Sequence, residues 1–220
     1  MFKQIFEIFK SNSLHEQALT ECHEMLEIVR EMFNESTNSL RHSDTAEIPI
    51  DIFAMDKKIN EFERDVRRKV MTHLAVGGKE DIGSGLILVS VVIDIERMGD
   101  YTKNIYDLAL NHPKKLSAGS LEATINDMEK STKDFLNKAI DAFKNQDIDL
   151  ARKLMMNYKD ISSASNEIVN SIISNKNNEF TPDVAGALCL YARYLKRIAA
   201  HSRNLISSIV NPFERIGYPE

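Results

Sequence analysis

A chain of 220 residues with 43% hydrophobic, 28% charged and 7% aromatic residues, 8 Gly and 5 Pro has the composition of a well-packed protein, which excludes disorder and collagen-like order. Its 28 Lys and Arg against 33 Asp and Glu give a formal net charge of −5, the wrong sign for neutralising phosphate backbones, so nucleic acid is excluded as a partner. Cys22 and Cys189 lie far apart, with no CxxC and no His at zinc-finger spacing; two unpaired thiols suit a reducing cytoplasm and leave no disulfide framework or structural zinc.

Residues 1–11 form a short amphipathic segment, with Phe2, Ile5, Phe6 and Phe9 at helical spacing. Lys3, Glu7 and Lys10 interrupt it and no small-residue cleavage site follows, so it does not read as a signal peptide; it is expected to lie on the protein's own bundle. The longest apolar run, residues 85–93, is too short to span a bilayer. A cytoplasmic protein that meets membranes only through partner proteins is expected.

Gly and Pro punctuate the rest: the first Pro is Pro49, the first Gly is Gly77, and neither occurs between Ser120 and Thr181. Apolar residues recur in steps of three and four, as in Ile52, Met55, Ile59, Phe62, Val66, which winds one apolar stripe along a helix. Stripes and stop signals together predict six long helices, over residues 12–40, 49–76, 79–111, 117–144, 147–174 and 182–210. Gly77-Gly78 and Asn111-His112-Pro113 are stops, and Thr181-Pro182-Asp183 is a helix start. Helices this long with short connections must pack antiparallel, so the fold class is all-α, a helical bundle.

The third and sixth helices are copies. Ile95-Glu96-Arg97-Met98-Gly99-Asp100-Tyr101-Thr102-Lys103-Asn104-Ile105 aligns with Leu195-Lys196-Arg197-Ile198-Ala199-Ala200-His201-Ser202-Arg203-Asn204-Leu205 at an offset of 100. Asp56 and Glu63 on the second helix align with Asp160 and Glu167 on the fifth at an offset of 104. Two three-helix repeats follow, residues 12–112 and 113–220.

Glu96 and Asp100 are one turn apart on one helical face, and Asn104 extends their line. Asp56, Asn60 and Glu63 make a second polar line on the neighbouring helix. If the lines face each other, three or four oxygen ligands converge, as in carboxylate metal sites of bundles. The alternative is a solvated acidic face in which Glu96 pairs with Arg97 and Asp100 with Lys103.

No HxxE or ExxH pair occurs, and His15, His23, His42, His73, His112 and His201 are scattered, most of them expected at the surface. There is no GxSxG, no activated Cys and no phosphate loop. Gly83-Ser84-Gly85 reads as a helix start, and the Met residues, Met155 and Met156 among them, as core filler. No catalytic residue is assigned, and the chain does not read as an enzyme.

The stretch from Glu96 to Ile105 resembles the ERIGD-x-x-x-N-I signature of the PhoU family of phosphate-uptake regulators. Asp56-Lys57-Lys58-Ile59-Asn60 with Glu63 resembles its DKKVD signature followed by an acid, and Ala142-Phe143 with Asp147-Ile148-Asp149 and Ala151 resembles its turn into the fifth helix. The resemblance covers nearly the whole chain in order. It implies two repeated antiparallel three-helix bundles, metal such as iron, zinc or a similar divalent or trivalent ion at E(D)xxxD motifs, and no catalysis. It further implies a homodimeric signalling adaptor between a phosphate transporter subunit and a sensor histidine kinase, restraining uptake and phosphate-starvation signalling. Related domains accompany sodium–phosphate cotransporters, which gives an alternative partner; a diverged metal-binding helical scaffold is another reading.

The departures are specific. Asn60 stands where the family has Asp; in the second copy Lys196 replaces the motif Glu, Ala200 the motif Asp, and Ala164 stands at the position paired with Asn60. The expectation is therefore one metal site of reduced charge, held by Glu96, Asp100, Asp56, Asn60 and Glu63. In the second repeat, an ammonium at Lys196 is expected to replace the metal and pair with Asp160 or Glu167.

Overall fold

The computed structural model describes residues 14–76, 81–112, 114–174 and 179–219. The N-terminal amphipathic segment lies outside the described residues. Six long helices account for most of the rest: α1 (Leu14–His42), α2 (Ile52–Val76), α3 (Ile82–Asn111), α4 (Glu122–Asn145), α5 (Ile148–Ser174) and α6 (Pro182–Val210). Short 3-10 turns cover Gly119–Leu121 and Phe213–Arg215.

The helix ends follow local chemistry. Asp51 precedes α2, and its Oδ1 accepts from the Ala54 amide at 3.0 Å; Asp147 does the same for Leu150 at 2.9 Å before α5. Each satisfies an amide of the first turn that has no helical partner. Gln146 takes a left-handed conformation (φ 52°) to close α4, where its amide and that of Asp147 return to Phe143 and Ala142. Pro182 opens α6 after an extended Thr181. Gly83, Ser84 and Gly85 lie in the first turn of α3, where Gly85 packs against Leu74.

The helices form two bundles, α1–α3 and α4–α6, and the apolar stripes supply a continuous core that includes Met25, Leu26, Phe33, Ile59, Ile95 and Met98 in the first and Phe135, Ile140, Ile161, Leu188, Tyr191 and Leu195 in the second. Met156 is 73% exposed and so does not fill the core; it sits on the solvent side of α5, while Met155 is half-buried.

The bundles join where α3 packs antiparallel on α6. Asp94 meets His201 and Asn204, whereas Tyr101 meets Tyr194 and Arg197, so contact positions fall on α6 as they rise on α3. A second connection is made by Arg41, fully buried at the end of α1. It donates to the Leu116 carbonyl, to Glu122 at 2.6 Å and to Asn126 at 3.0 Å, the latter two on α4. Among the described residues no helix is long and apolar enough to cross a membrane.

Candidate functional site

The two polar lines of the first repeat do face each other. Gly99 makes this possible: a Cβ there would lie 2.8 Å from Ile59 Cδ1, so its absence lets α2 and α3 approach at the level of Asn60 and Glu96. Lys103 Nζ bridges the helices, 2.8 Å from Asp56 Oδ2 and 3.3 Å from Asp100 Oδ1. Asn60 Nδ2 donates to the Asp56 carbonyl at 3.1 Å. Arg97 lies 3.0 Å from Asp100 and 3.4 Å from Glu96, and Arg67 pairs with Glu63 at 2.7 Å.

The electrostatics show how tightly these groups share a field. Burial raises the pKa of Glu96, and the charges of Asp100, Glu63 and Asp56 raise it further against the opposing pull of Arg97. Burial also opposes the charge on Lys103, yet hydrogen bonding and attraction to Asp56, with Asp100 behind, outweigh it and raise its pKa. Four carboxylates thus face three cations, and Glu96 is the acid served least, its nearest cation being Arg97 Nε at 3.4 Å.

The donor set is chemically suited to a hard or borderline cation, with carboxylate and amide oxygens from two helices. Among the described residues no three His, Cys, Asp or Glu side chains converge closely enough to ligate one ion, and Lys103 stands between Asp56 and Asp100. An ion shared by Asn60, Asp56, Glu63, Glu96 and Asp100 requires the ammonium to leave its place between Asp56 and Asp100. The local pairs Arg97–Glu96 and Lys103–Asp100, expected for a solvated acidic face, are present too.

The second repeat corrects the expectation drawn for it. Lys196 Nζ donates to Asn166 Oδ1 at 3.1 Å and pairs with neither Asp160 nor Glu167, both of which are exposed. The reason is register. Buried Ile52, Ile59, Val66 and Val70 of α2 match buried Leu154, Ile161, Ile168 and Ile172 of α5 at an offset of 102, not 104. Two residues turn a side chain by roughly 200° around a helix, which carries Asp160 and Glu167 off the α6 side. Asp160 instead lines a polar cavity with Asp134 of α4.

With this register the copies match one to one. Asp56, Asn60 and Glu63 correspond to Tyr158, Ser162 and Ser165, and Glu96, Asp100 and Lys103 to Lys196, Ala200 and Arg203. The Lys103–Asp56 ion pair becomes Arg203 over the Tyr158 ring at 4.5 Å. Every carboxylate of the first site is gone from the second. Ser165, in the place of Glu63, is buried and donates to the Ala192 carbonyl at 3.0 Å.

The histidines also differ from expectation. Only His42 is exposed; the others are half-buried, with His201 bonded to Asp94 and His73 to Asp81. His201 reaches a carboxylate on a neighbouring helix and His73 one just before α3, whereas His15 packs its ring on His73 and His23 on Phe143.

Comparison with known proteins places this architecture. The PhoU domain model matches residues 22–109 and 125–209. The phosphate-specific transport system accessory protein PhoU homolog 1 of Thermotoga maritima is 24% identical over 190 residues, covering 84% of this chain and 81% of its own. The PhoU homolog of Clostridium acetobutylicum is 22% identical over 213 residues, with 93% and 88% covered. The crystal structure of PhoU from Pseudomonas aeruginosa superposes with a TM-score of 0.81 at 19% identity, over 90% of this chain and 96% of that one. PhoU from Streptococcus pneumoniae gives 0.76 at 19%, over 89% and 93%. With the family model matching most of its length in two copies, one to each three-helix bundle, the chain belongs to the PhoU family.

Proposed function

We propose that this protein is a cytoplasmic regulatory adaptor of phosphate homeostasis, which restrains phosphate uptake and phosphate-starvation signalling through protein–protein contacts and without catalysis. The observation that carries the reading is the two-copy family match over most of the chain, together with relatives named as accessory proteins of phosphate-specific transport. Its partners are a phosphate transporter subunit, a sensor histidine kinase, or both, and it works as a homodimer. Capture of the protein from membrane-containing lysate of its own host, grown phosphate-replete and phosphate-starved, tests this. Phosphate-dependent enrichment of a transporter subunit or kinase is expected; enrichment that ignores phosphate would overturn it.

The first repeat would bind a divalent or trivalent cation at Glu96, Asp100, Asp56, Asn60 and Glu63, where such an ion supplies positive charge that locks α2 against α3. The under-neutralised Glu96 supports this. Metal analysis of untagged protein beside a Glu96→Ala/Asp100→Ala variant tests it: equal metal in both removes these two residues from the ligand set. The loss of every matching carboxylate from the second repeat favours a second reading, in which this copy serves a sodium–phosphate cotransporter.

A further inference from the structure

The acidic face of the first repeat has a basic counterpart in the second. Arg193, Lys196 and Arg197 occupy one turn of α6 at spacings that place them on one face. Arg193 Nη1 and Lys196 Nζ both donate to Asn166 Oδ1 on α5, at 2.9 and 3.1 Å, so the two nitrogens are no more than 6.0 Å apart with only a neutral oxygen between them. Arg197 donates from Nε to the Tyr101 hydroxyl at 3.1 Å and lies 3.4 Å from His201 Nε2. None of the three has an ion-pair partner among the described residues.

In the first repeat each comparable cation has one: Lys103 has Asp56 and Asp100, and Arg97 has Asp100 and Glu96. Arg197 lacks that neighbour because Ala200 stands where Asp100 stands in the other copy, and Lys196 has replaced Glu96 itself. Three cations gathered on one turn repel one another, and an anion among them would turn that repulsion into attraction.

We propose that Arg193, Lys196 and Arg197, with Asn166, form a binding site for a phosphate-type oxyanion, inorganic phosphate, on the outer surface of α6, with Asn166 of α5 on one side and Arg197, held over the Tyr101 ring of α3, on the other. Guanidinium and ammonium groups at this spacing suit a tetrahedral oxyanion, the arginines as directional forks and the lysine as a point charge. Asn166 Oδ1 supplies discrimination. Once Arg193 and Lys196 turn from that oxygen to the bound anion its lone pairs are freed, and phosphate, which near neutral pH retains a P–OH, can donate to them, whereas sulfate has no proton to give and would meet them with its own lone pairs. Burial lowers the pKa of Lys196, and the neighbouring Arg193 and Arg197 lower it further, the condition an adjacent anion would relieve. The site itself stands on geometry; the choice of phosphate among oxyanions rests on the proposed phosphate-regulatory role.

The test is calorimetric titration of the full chain with inorganic phosphate and, separately, with sulfate, at matched ionic strength. Saturable phosphate binding with a Kd on the order of 1 mM is expected, weakened at least about tenfold by Lys196→Glu and by Arg197→Gln, with sulfate weaker than phosphate. Arg197 is exposed, so its variant keeps the test valid should Lys196→Glu not fold, which thermal melting reports. No saturable binding up to about 10 mM, equal binding in the folded variants, or sulfate binding as tightly as phosphate would each overturn the assignment. Partner capture that fails while phosphate still binds would sink the adaptor role alone; the reverse result would sink this site alone.

Discussion

Asp94 of α3 accepts a hydrogen bond from His201 of α6 at 2.7 Å, across the seam between the two repeats. Asn204 donates to the same Oδ1 at 3.0 Å, and the His201 ring stacks on Tyr101 at 5.8 Å. With the repeats related by an offset of 100, the symmetry mate of this contact is Tyr194 with Tyr101, which meet as rings at 5.9 Å. One sequence position therefore serves a polar bond in one orientation and an aromatic contact in the other. The seam is pseudo-symmetric in backbone and asymmetric in chemistry.

Asp94→Ala leaves His201 and Asn204 without their acceptor in a nearly buried place, and is expected to destabilise by about 2 kcal/mol. A double-mutant cycle with His201→Ala, read by urea unfolding, should give a coupling above about 0.5 kcal/mol. Strict additivity would mean that the bond does not hold the repeats together.

Gly99 sits where α2 and α3 come closest. Gly99→Ala gains roughly 1 kcal/mol of helix propensity but drives a methyl against Ile59 Cδ1, a collision of about 1–3 kcal/mol in a packed core. Ile59→Val removes that Cδ1. Gly99→Ala should accordingly be neutral or destabilising alone and stabilising on the Ile59→Val background, with melting temperatures as the readout. The same sign on both backgrounds would show that the glycine does not set the helix separation.

The Arg41 clamp gives the protein an acid limit. Burial works against the ionised Glu122, but the Ala118 amide and then Arg41 overcome it and hold its pKa below the usual 4.5. A depressed carboxylate adds stability above its unfolded pKa, and that stability is lost as pH falls through the folded value. Glu122→Gln should lower the melting temperature at pH 7, and the gap to the wild type should close as pH falls below the usual carboxylate range and through the depressed folded value. Arg41→Met would cost more, about 3–5 kcal/mol, because Glu129 and the Tyr191 hydroxyl bonded to it at 2.5 Å lose their buried cation. A pH-independent gap between Glu122→Gln and wild type would dissociate the clamp from acid unfolding.

Helix number and order were legible in the sequence because burial imposes the period of three and four, and because Pro and Gly end helices by backbone geometry alone. The α2–α5 register was misread from the exposed Asp160 and Glu167, which no packing fixes. The spacing of Leu154, Ile161, Ile168 and Ile172, identical to that of Ile52, Ile59, Val66 and Val70, carried the right answer. Lys103 was visible as a local partner of Asp100, but its reach to Asp56 depends on how closely Gly99 lets two helices approach. Arg41 gave no signal at all: one arginine in a last turn is ordinary, and only the fold buries it against α4.

Lys103 separates the two states open to the first site. With the ammonium in place Asp56 and Asp100 are neutralised; without it the carboxylates face one another. In Lys103→Met, Glu96, already raised by burial and by its acidic neighbours, should rise further. A carboxyl raised by folding adds stability below its unfolded pKa and loses it as pH climbs through the folded value, so the variant should be least stable at neutral pH and recover toward pH ~5. A divalent or trivalent ion would replace the missing charge: at about 100 times its Kd it would return roughly 2.7 kcal/mol. Zinc or ferrous iron at pH 7 should therefore raise the melting temperature of Lys103→Met more than that of wild type, and Glu96→Ala in the same background should abolish the difference. If the ion leaves Lys103→Met unchanged while acid still restores it, the carboxylates share a field without converging on a ligand position, and the metal reading of the first repeat falls.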